Sequence, residues 1–533
     1  MAQKSSSFLD NPSHTHCYYV ILDYFCNFYL HIRPMTAIRT KTTLTKLLFA
    51  LLLSCSAMKC LAYDFKTGNI CYNILSRSEN SVEVTHGGLN DTYSGEITIP
   101  ASIEYEGTTY TVTEIRPETF WGCTGLTSIT IPATVSSIED YTFYGCSGLK
   151  EIKLPETLTG IGNYTFYGCC SLNSIRIPDS VTVLGKSAFE KSGLQQAIIG
   201  KGITAISECT FRLCSSLTEI TIPDNVTSIG HAAFEFCTKL TGIELGKNLY
   251  SIGECAFMGC SMLDEIRFPD KLARIGALAF EGCSNLSSIN IPCNVSYIGE
   301  SAFDGCSGFT SIIVDKSNKS YSSKGCAIIE CDENRLVYGC RNTVIPEGVT
   351  SIGKWAFYNC SEPVNIIMPE SIRSIDEWAF FKCTGLTGIV IPCNTTRIGK
   401  YAFYQCNRLA DITLPENMES IGDGAFSDCK NIVRIYAHGK QPASIGSNTF
   451  DSIYDTATLY VPSGAKEFYR SAPYWSNFTN IIEQDFDQNN GIESVTGESN
   501  TLSPVYDLLG RKTEQTFKGG IYIRNGKVIL YRE

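Results

Sequence analysis

A single pattern of apolar positions runs through most of the chain. Its marker is a phenylalanine, and consecutive copies are 23 residues apart in most cases, with single steps of 22, 24 and 54. The unit around it is C-x-x-L-x-x-I-x-I-P-x-x-V-x-x-I-G-x-x-A-F-x-x. A fixed period of this length predicts stacked repeats rather than one globular core. The marker residues are Phe120, Phe143, Phe166, Phe189, Phe211, Phe234, Phe257, Phe280, Phe303, Phe357, Phe380, Phe403, Phe426 and Phe450.

Each part of the unit predicts a local structure. The L-x-x-I-x-I segment is typical of a short strand, in which Leu126, Ile129 and Ile131 point inward. Pro132 ends that strand because it has no N–H to donate, and Ile138 belongs to a second, shorter inward segment. The Ala-Phe pair then begins a short helical turn. Because one unit cannot bury its own apolar face, we predict a β-rich, right-handed solenoid of about 14 coils with small β caps at both ends.

The repeat is interrupted once and is absent from both ends of the chain. These breaks divide the chain into several predicted parts. The 54-residue step contains two strand-like runs around Asp332-Glu333-Asn334, so we predict a hairpin that protrudes from the solenoid. An open stack also needs terminal caps to cover its unpaired edges. The predicted parts are a β cap at 63–112, the solenoid at 113–450 with a hairpin insertion at 315–345, a second cap at 451–483, a polar linker at 484–500 and a small β domain at 501–533.

The first 62 residues are predicted to direct export. Residues 35–62 have the basic, apolar and small-residue regions of a signal peptide, with cleavage after Ala62. Residues 1–34 would then be a non-native upstream extension. The alternative is a lipoprotein box in which Cys55 is acylated, and the sequence leaves both open. Outside this region no apolar run is long enough for a membrane span.

Composition argues against several classes of function. The chain carries 43 Lys and Arg against 54 Asp and Glu, a net charge of −11, which disfavours nucleic-acid binding. After residue 62 only His86, His231 and His438 remain, without a nucleophile motif beside them, and His231 is expected to be exposed. No spacing resembles a metal site or a phosphate-binding loop. We therefore predict no enzymatic activity, no cofactor and no metal.

Cysteine is abundant, with 25 residues, and it follows the repeat. In an exported protein these residues could form a disulfide ladder, but stacked identical side chains lie parallel, which a disulfide does not allow. We therefore interpret them as small buried residues that fill the seam. Cys326, Cys331 and Cys340 in the insertion are better candidates for a disulfide. The ladder positions, three residues after the marker, are Cys123, Cys146, Cys169, Cys214, Cys237, Cys260, Cys283, Cys306, Cys360, Cys383, Cys406 and Cys429.

Aromatic residues flank the marker phenylalanine at positions minus two and plus one in two blocks of coils. On a helical turn these positions share one side, so we predict aromatic stripes along an outer edge that anchor a partner protein or stack on sugars. The alternative is that neighbouring turns cover the rings. The candidate partner-binding residues are Tyr141, Tyr144, Tyr164 and Tyr167 in the first block, and Trp355, Tyr358, Trp378, Phe381, Tyr401 and Tyr404 in the second.

The repeat resembles the BspA-like (type 5) leucine-rich repeat. YDFKTGNICYNIL (63–75) and YSGEITIPASIEYEGTTYTV (93–112) resemble that family's entry module. GCAIIECDENRLVYGCRNTVIPEGVTSIG (325–353) resembles its insertion, and LYVPSGAKEFYRSAPYWSNF (459–478) its exit segment. The tail segments VYDLLGRK (505–512) and KGGIYIRNGKVIL (518–530) resemble a C-terminal sorting domain of the type IX (Por) secretion system.

These resemblances imply a location and a function. The tail implies a secreted or surface-attached protein of a diderm bacterium, and the repeat implies an adhesin that binds host matrix proteins or other bacterial cells. The alternative is a surface protein that captures glycans or acts as a structural scaffold. We expect protein ligands, with glycan as the second choice, and no membrane span in the exported chain.

Overall fold

The computed structural model describes residues 63–87, 92–324, 326–340, 343–360 and 366–486, together with five short strands that follow them. The upstream extension, the signal peptide and Cys55 therefore lie outside the described residues. The described chain is a β-solenoid of about 15 turns with a spacing of about 23 residues and almost no helix, which confirms the predicted fold class.

Most of the described coils contribute one strand to a parallel column, as the L-x-x-I-x-I segment predicts. Ile129 lies opposite Ile152, and Ile220 opposite Ile243, so identical positions of successive coils are in register. Most inward residues are buried, and the outward ones are half-buried or exposed. These strands are Gly95–Thr98, Leu126–Thr130, Glu151–Lys153, Ser174–Arg176, Gln196–Ile198, Glu219–Thr221, Gly242–Glu244, Glu265–Ile266, Ser288–Ile291, Ser311–Val314, Ile389–Val390, Asp411–Leu414, Arg434–Ala437, Thr458–Pro462 and Asn480–Gln484.

A second column of two-residue strands lies on the other side of the coil. Its members also pair in parallel, for example Ser251–Ile252 with Arg274–Ile275. The second residue of each strand, which is isoleucine in all but Val183–Leu184, faces the core. The strands of this column are Ser137–Ile138, Gly160–Ile161, Val183–Leu184, Ala205–Ile206, Ser228–Ile229, Ser251–Ile252, Arg274–Ile275, Tyr297–Ile298, Ser351–Ile352, Ser374–Ile375, Arg397–Ile398, Ser420–Ile421 and Ser444–Ile445.

The marker phenylalanines form a continuous buried stack on each side of the insertion. Phe257, for example, is fully buried and lies 5.2 Å from the rings of both Phe234 and Phe280. Ring planes in the stack are nearly parallel, and Phe403 and Phe426 differ by only 2°. The predicted burial of this residue in every coil is confirmed.

The predicted short helical turns around the phenylalanine are instead tight turns without helix. The backbone N–H of Phe143 donates to the carbonyl of Thr165 in the next coil at 2.9 Å, rather than within its own segment. Stacked coils therefore supply the partners that a helix would supply internally. This arrangement needs left-handed residues, and Tyr141 has a φ of 58°.

The ladder cysteines are unpaired, which confirms their interpretation as seam-filling residues. Nearly all are buried, and the thiol also has a role that the sequence did not indicate. The Cys260 thiol donates to the carbonyl of Phe234 in the preceding coil at 3.1 Å, and most other ladder cysteines repeat this contact. Within the described residues, the one disulfide joins Cys326 and Cys340, whose Cα atoms are 6.2 Å apart, and Cys331 is free.

The insertion forms the predicted hairpin, but the hairpin does not protrude from the solenoid as the sequence led us to expect. Its antiparallel strands Tyr321–Ser323, Ala327–Glu330 and Arg335–Gly339 join the short-strand column, because the last of them pairs in parallel with Ser351–Ile352. The ring of Tyr338 packs edge-on against Phe303, with centroids 5.8 Å apart. The insertion therefore occupies the place of a coil in the stack.

The ends of the repeat carry additional β structure. Before the solenoid, Phe65–Thr67, Ile70–Ser76, Ser81–Thr85, Ser102–Tyr105 and Thr108–Ile115 form a mixed sheet. After Phe450, a short helix at Lys466–Ser471 packs against a 3-10 turn at Trp475–Asn477 and against the last long strand, Asn480–Gln484. The tail contributes a sheet of Glu493–Val495, Val505–Tyr506, Lys512–Thr513, Ile521–Arg524 and Lys527–Tyr531. No helix of the described residues is long and apolar enough to cross a bilayer.

Candidate functional site

In each tight turn, the backbone places two side chains on the same side of the coil. They belong to the residue two before the marker phenylalanine and to the residue one after it. The residue at minus two adopts a left-handed conformation, with φ of 58° at Tyr141 and 62° at Trp378. The N–H of Tyr144 then donates to the carbonyl of Tyr141 at 3.1 Å, which closes the turn. The predicted shared side is therefore present, although a β-turn rather than a helical turn produces it.

The first stripe consists of two columns of stacked tyrosines. Tyr141 lies on Tyr164 with centroids 5.0 Å apart, and Tyr144 on Tyr167 at 4.6 Å, with planes within 4°. Sequence reasoning missed Trp121, which stacks on Tyr144 at 4.3 Å and is 40% exposed. Its place one residue after Phe120 could have revealed it, but the paired position in that coil is a glutamate, so the aromatic pair was incomplete.

The first stripe ends at a lysine of the same chain. The Nζ atom of Lys191 lies 4.9 Å from the centroid of the Tyr167 ring and also donates to the Tyr167 hydroxyl. A cation over an aromatic face is attracted by the electron density of the ring. The molecule therefore already contains one example of a cation held at the end of a stripe.

The second stripe is larger and contains six rings. Trp378 stacks between Trp355 and Tyr401, with centroids 4.9 and 4.5 Å away. Phe381 stacks between Tyr358 and Tyr404, at 5.8 and 5.0 Å. The two columns meet edge to face, because Trp378 and Phe381 are 5.1 Å apart with an angle of 61° between their planes.

A hydrogen bond fixes the first ring of the second stripe across the insertion. The indole Nε1 of Trp355 donates to Glu300 Oε1 at 2.9 Å, and Lys354 Nζ lies 2.7 Å from the same oxygen. Glu300 belongs to the coil before the insertion, so this contact spans the whole 54-residue step. It limits the freedom of the indole ring and of the coil that carries it.

The ten predicted site residues are neither fully buried nor fully exposed. All of them are partly accessible, so neighbouring turns cover them only in part. Burial raises the pKa of Tyr141 and of Tyr358 above the ordinary value, so these phenols stay protonated at neutral pH. Stacking covers the faces of the inner rings, which leaves mainly their edges and hydroxyl groups available to a partner.

The coils between the stripes carry charged groups at the plus-one position. Arg212 donates to Glu190 at 3.0 Å and also to Glu235, which pairs two shielded carboxylates with one guanidinium. Further along, burial raises the pKa of Glu281 and raises that of Asp304 to about 7. Two shielded carboxyl groups therefore lie beside the second stripe, and sequence analysis did not identify them.

A surface concavity of about 370 Å³ lies at the far end of the second stripe. It forms where the aromatic columns stop, because the next coil carries Gly424 and Ser427 in the two ring positions. A Cβ atom at residue 424 would collide with the ring of Tyr401. The residues that line the concavity are Trp378, Phe381, Tyr401, Tyr404, Ser427, Asn448 and Asp451.

The histidines do not form a catalytic arrangement in the described part of the chain. His231 is exposed, as the sequence predicts. The ring of His438 stacks on Phe486 at 4.2 Å, and burial lowers its pKa. Among the described residues no group of three or more His, Cys, Asp and Glu side chains is placed to hold a metal ion.

Two solved structures are among those similar to this chain. A leucine-rich repeat protein from Bacteroides ovatus is 29% identical, with a TM-score of 0.57, over 75% of this chain and 100% of that one. A leucine rich cell surface protein from Faecalibacterium prausnitzii is 24% identical, with a TM-score of 0.43, over 79% and 94% of the two chains. No curated protein matches the chain at a significant level.

A family comparison identifies the repeat itself. The family described as "BspA type Leucine rich repeat region (6 copies)" matches residues 113–241, 227–330 and 336–457. These segments cover well over half of the chain and coincide with the coils that carry the phenylalanine stack and both stripes. The chain belongs to the BspA-type leucine-rich repeat family.

Proposed function

We propose that this is an exported, non-enzymatic surface protein that binds other proteins, an adhesin for host matrix proteins or other cells. The observation that carries the proposal is the second stripe, in which six partly exposed rings stack in two columns on one side of consecutive coils. Leucine-rich repeat proteins are in general binding scaffolds, which agrees with this role.

The ring geometry favours a protein partner over a glycan. A sugar stacks on an open aromatic face, but both faces of Trp378 and of Phe381 are covered by neighbouring rings. The exposed edges and hydroxyl groups instead suit the apolar and polar side chains of another protein. Aromatic residues are also the side chains most enriched among the energetic centres of protein interfaces.

Binding through this surface has a low entropic cost. Stacking already restricts the rings, and Glu300 fixes the indole of Trp355, so few rotamers are lost when a partner docks. A stable interface needs about 1,000 Å² or more of buried surface, which exceeds what one ring can supply. Consecutive coils provide that area because each one adds two rings in register.

The proposed export rests on the two ends of the chain. Residues 35–62 have the character of a signal peptide, and the tail sequences at 505–512 and 518–530 resemble a type IX sorting domain. The sheet of short strands within residues 493–531 agrees with a small separate unit. Deleting 501–533 is expected to leave the repeat region folded but retain it in the periplasm, and surface exposure of the truncated protein would contradict this role.

Binding assays with stripe variants test the proposed function. The triple variant Trp355→Asn, Trp378→Asn and Tyr401→Asn removes three rings, and asparagine tolerates the left-handed backbone at these positions. We expect attachment to cells and to a panel of purified matrix proteins to fall at least tenfold, as for loss of an interface centre. Tyr250→Asn, an exposed ring outside the stripes, is the matched control.

The result also separates the alternatives. Wild-type attachment by a folded triple variant, with folding checked by circular dichroism, would refute the proposed function. Retention of polysaccharides alone would favour glycan capture, and turnover of any substrate would contradict a purely binding role.

A further inference from the structure

We propose that the concavity at the end of the second stripe is a binding site for an arginine side chain of a basic partner protein. The inference rests on the proposed function, since it specifies the partner chemistry of the same surface. It starts from the shape of the site. Ser427 carries no ring, so a gap lies between Tyr404 and Asp451, whereas the ring of Tyr401 lies over Gly424.

The gap suits a flat group. Successive coils are about 4.8 Å apart, so skipping one ring leaves room for a planar group against the preceding ring. The guanidinium of arginine is planar, stacks on aromatic faces and pairs with carboxylates through two N–H groups. Tyr404 and Tyr401 provide the aromatic side of such a site, and Asn448 and Asp451 provide the polar side.

Charge at the site selects a cation over a neutral ring. Asp451 is exposed and forms no ion pair with the described residues. The lysines near the stripe are already engaged, because Lys354 pairs with Glu300, Lys382 lies over the Phe381 ring, and Lys430 pairs with Asp428.

The first stripe provides an internal comparison. There, Lys191 of the next coil lies over Tyr167, the last ring of its column. Asp428 holds the equivalent position after Tyr404, because Lys191 and Asp428 each lie two residues after the marker phenylalanine of the next coil. The first stripe is therefore closed by a cation of its own chain. At the second stripe, Asp428 is already paired with Lys430 and Gln405, and among the described residues no cation lies over the Tyr404 ring. An arginine from a partner would supply the missing cation.

Direct binding of a defined peptide to the full-length protein tests the site. The probe is a blocked peptide with three arginines separated by glycine and serine, and its control carries citrulline, which keeps the shape and removes the charge. Surface plasmon resonance is expected to show about fivefold weaker binding of the citrulline peptide. Asp451→Asn should weaken the arginine peptide to the same extent, and Asp270→Asn, an exposed aspartate outside the stripes, should leave it unchanged.

A second variant fills the gap without removing any existing ring. Ser427→Tyr adds a ring in the same register as Tyr404 and is expected to abolish peptide binding while both stripes stay intact. Equal binding of the two peptides, or unchanged binding after Asp451→Asn, would overturn the inference. Binding of an oligosaccharide instead of the arginine peptide, lost in Ser427→Tyr, would overturn it in favour of a glycan site.

The proposed function and this inference can fail separately. Loss of cell attachment in the triple stripe variant, together with no selective binding of the arginine peptide, retains the proposed function and removes the arginine site. Wild-type attachment in the triple stripe variant removes the proposed function whatever the peptide shows.

Discussion

Replacing Phe257 by alanine tests whether the phenylalanine stack stabilises the solenoid. Phe257 is fully buried, and its ring is 5.2 Å from both neighbouring rings, with planes within 9°. Removing a buried phenylalanine costs about 3–5 kcal/mol. Because two aromatic contacts are lost and stacked coils cannot collapse into the gap independently, we expect a value of about 4–5 kcal/mol.

The measurement is the free energy of unfolding from urea denaturation, followed by far-ultraviolet circular dichroism. Phe236→Ala is the matched control, since Phe236 belongs to the adjacent coil but is 37% exposed, and it should cost clearly less than Phe257→Ala. Phe257→Leu keeps most of the volume and secures a folded variant. A loss below about 1 kcal/mol for Phe257→Ala, with an unchanged denaturant slope, would refute a buried continuous stack.

Three further predictions concern buried polar groups. Burial raises the pKa of Asp304 to about 7 from 3.8, so the folded protein keeps a proton that the unfolded chain releases between these values. Stability should therefore fall by about 4 kcal/mol as pH rises from 4 to 7, and Asp304→Asn should remove most of that fall in denaturation measured across this range. Under native conditions a thiol reagent should modify the exposed Cys170 and Cys393 but not Cys260, whose pKa burial raises well above its ordinary value, and rapid labelling of every ladder thiol would contradict the burial. Arg212→Met leaves two shielded carboxylates unpaired and should lower the free energy of unfolding by about 2–3 kcal/mol, whereas a neutral effect would show that solvent screens them.

The repeat made most of the fold predictable from the sequence. Inward residues such as Ile129 and Ile152 must occupy the same place in each coil, so the period alone determines strand positions and register. The stripes were predictable for the same reason, because residues at fixed distances from the marker phenylalanine lie on the same side of every coil. The free state of the ladder thiols was also predictable, since parallel side chains in a ladder do not have disulfide geometry.

The features that the sequence did not reveal depend on contacts between coils. The tight turns were predicted as helical because local spacing does not show that N–H groups, such as that of Phe143, bond to the next coil. The contact between Trp355 and Glu300 depends on how the insertion fits into the stack, which no periodicity describes. The concavity arises from two small residues, Gly424 and Ser427, whose effect is visible only beside the rings they replace.

Footprinting of the protein bound to its partner tests the central claim, that the aromatic stripes form the binding surface. Hydroxyl-radical oxidation would be measured by mass spectrometry for the free protein and for protein attached to cells or to a matrix protein. We expect protection of Trp355 and Trp378 on attachment, with unchanged oxidation of Tyr250, which is 55% exposed outside the stripes. Equal oxidation of both tryptophans in the free and attached states would contradict the claim.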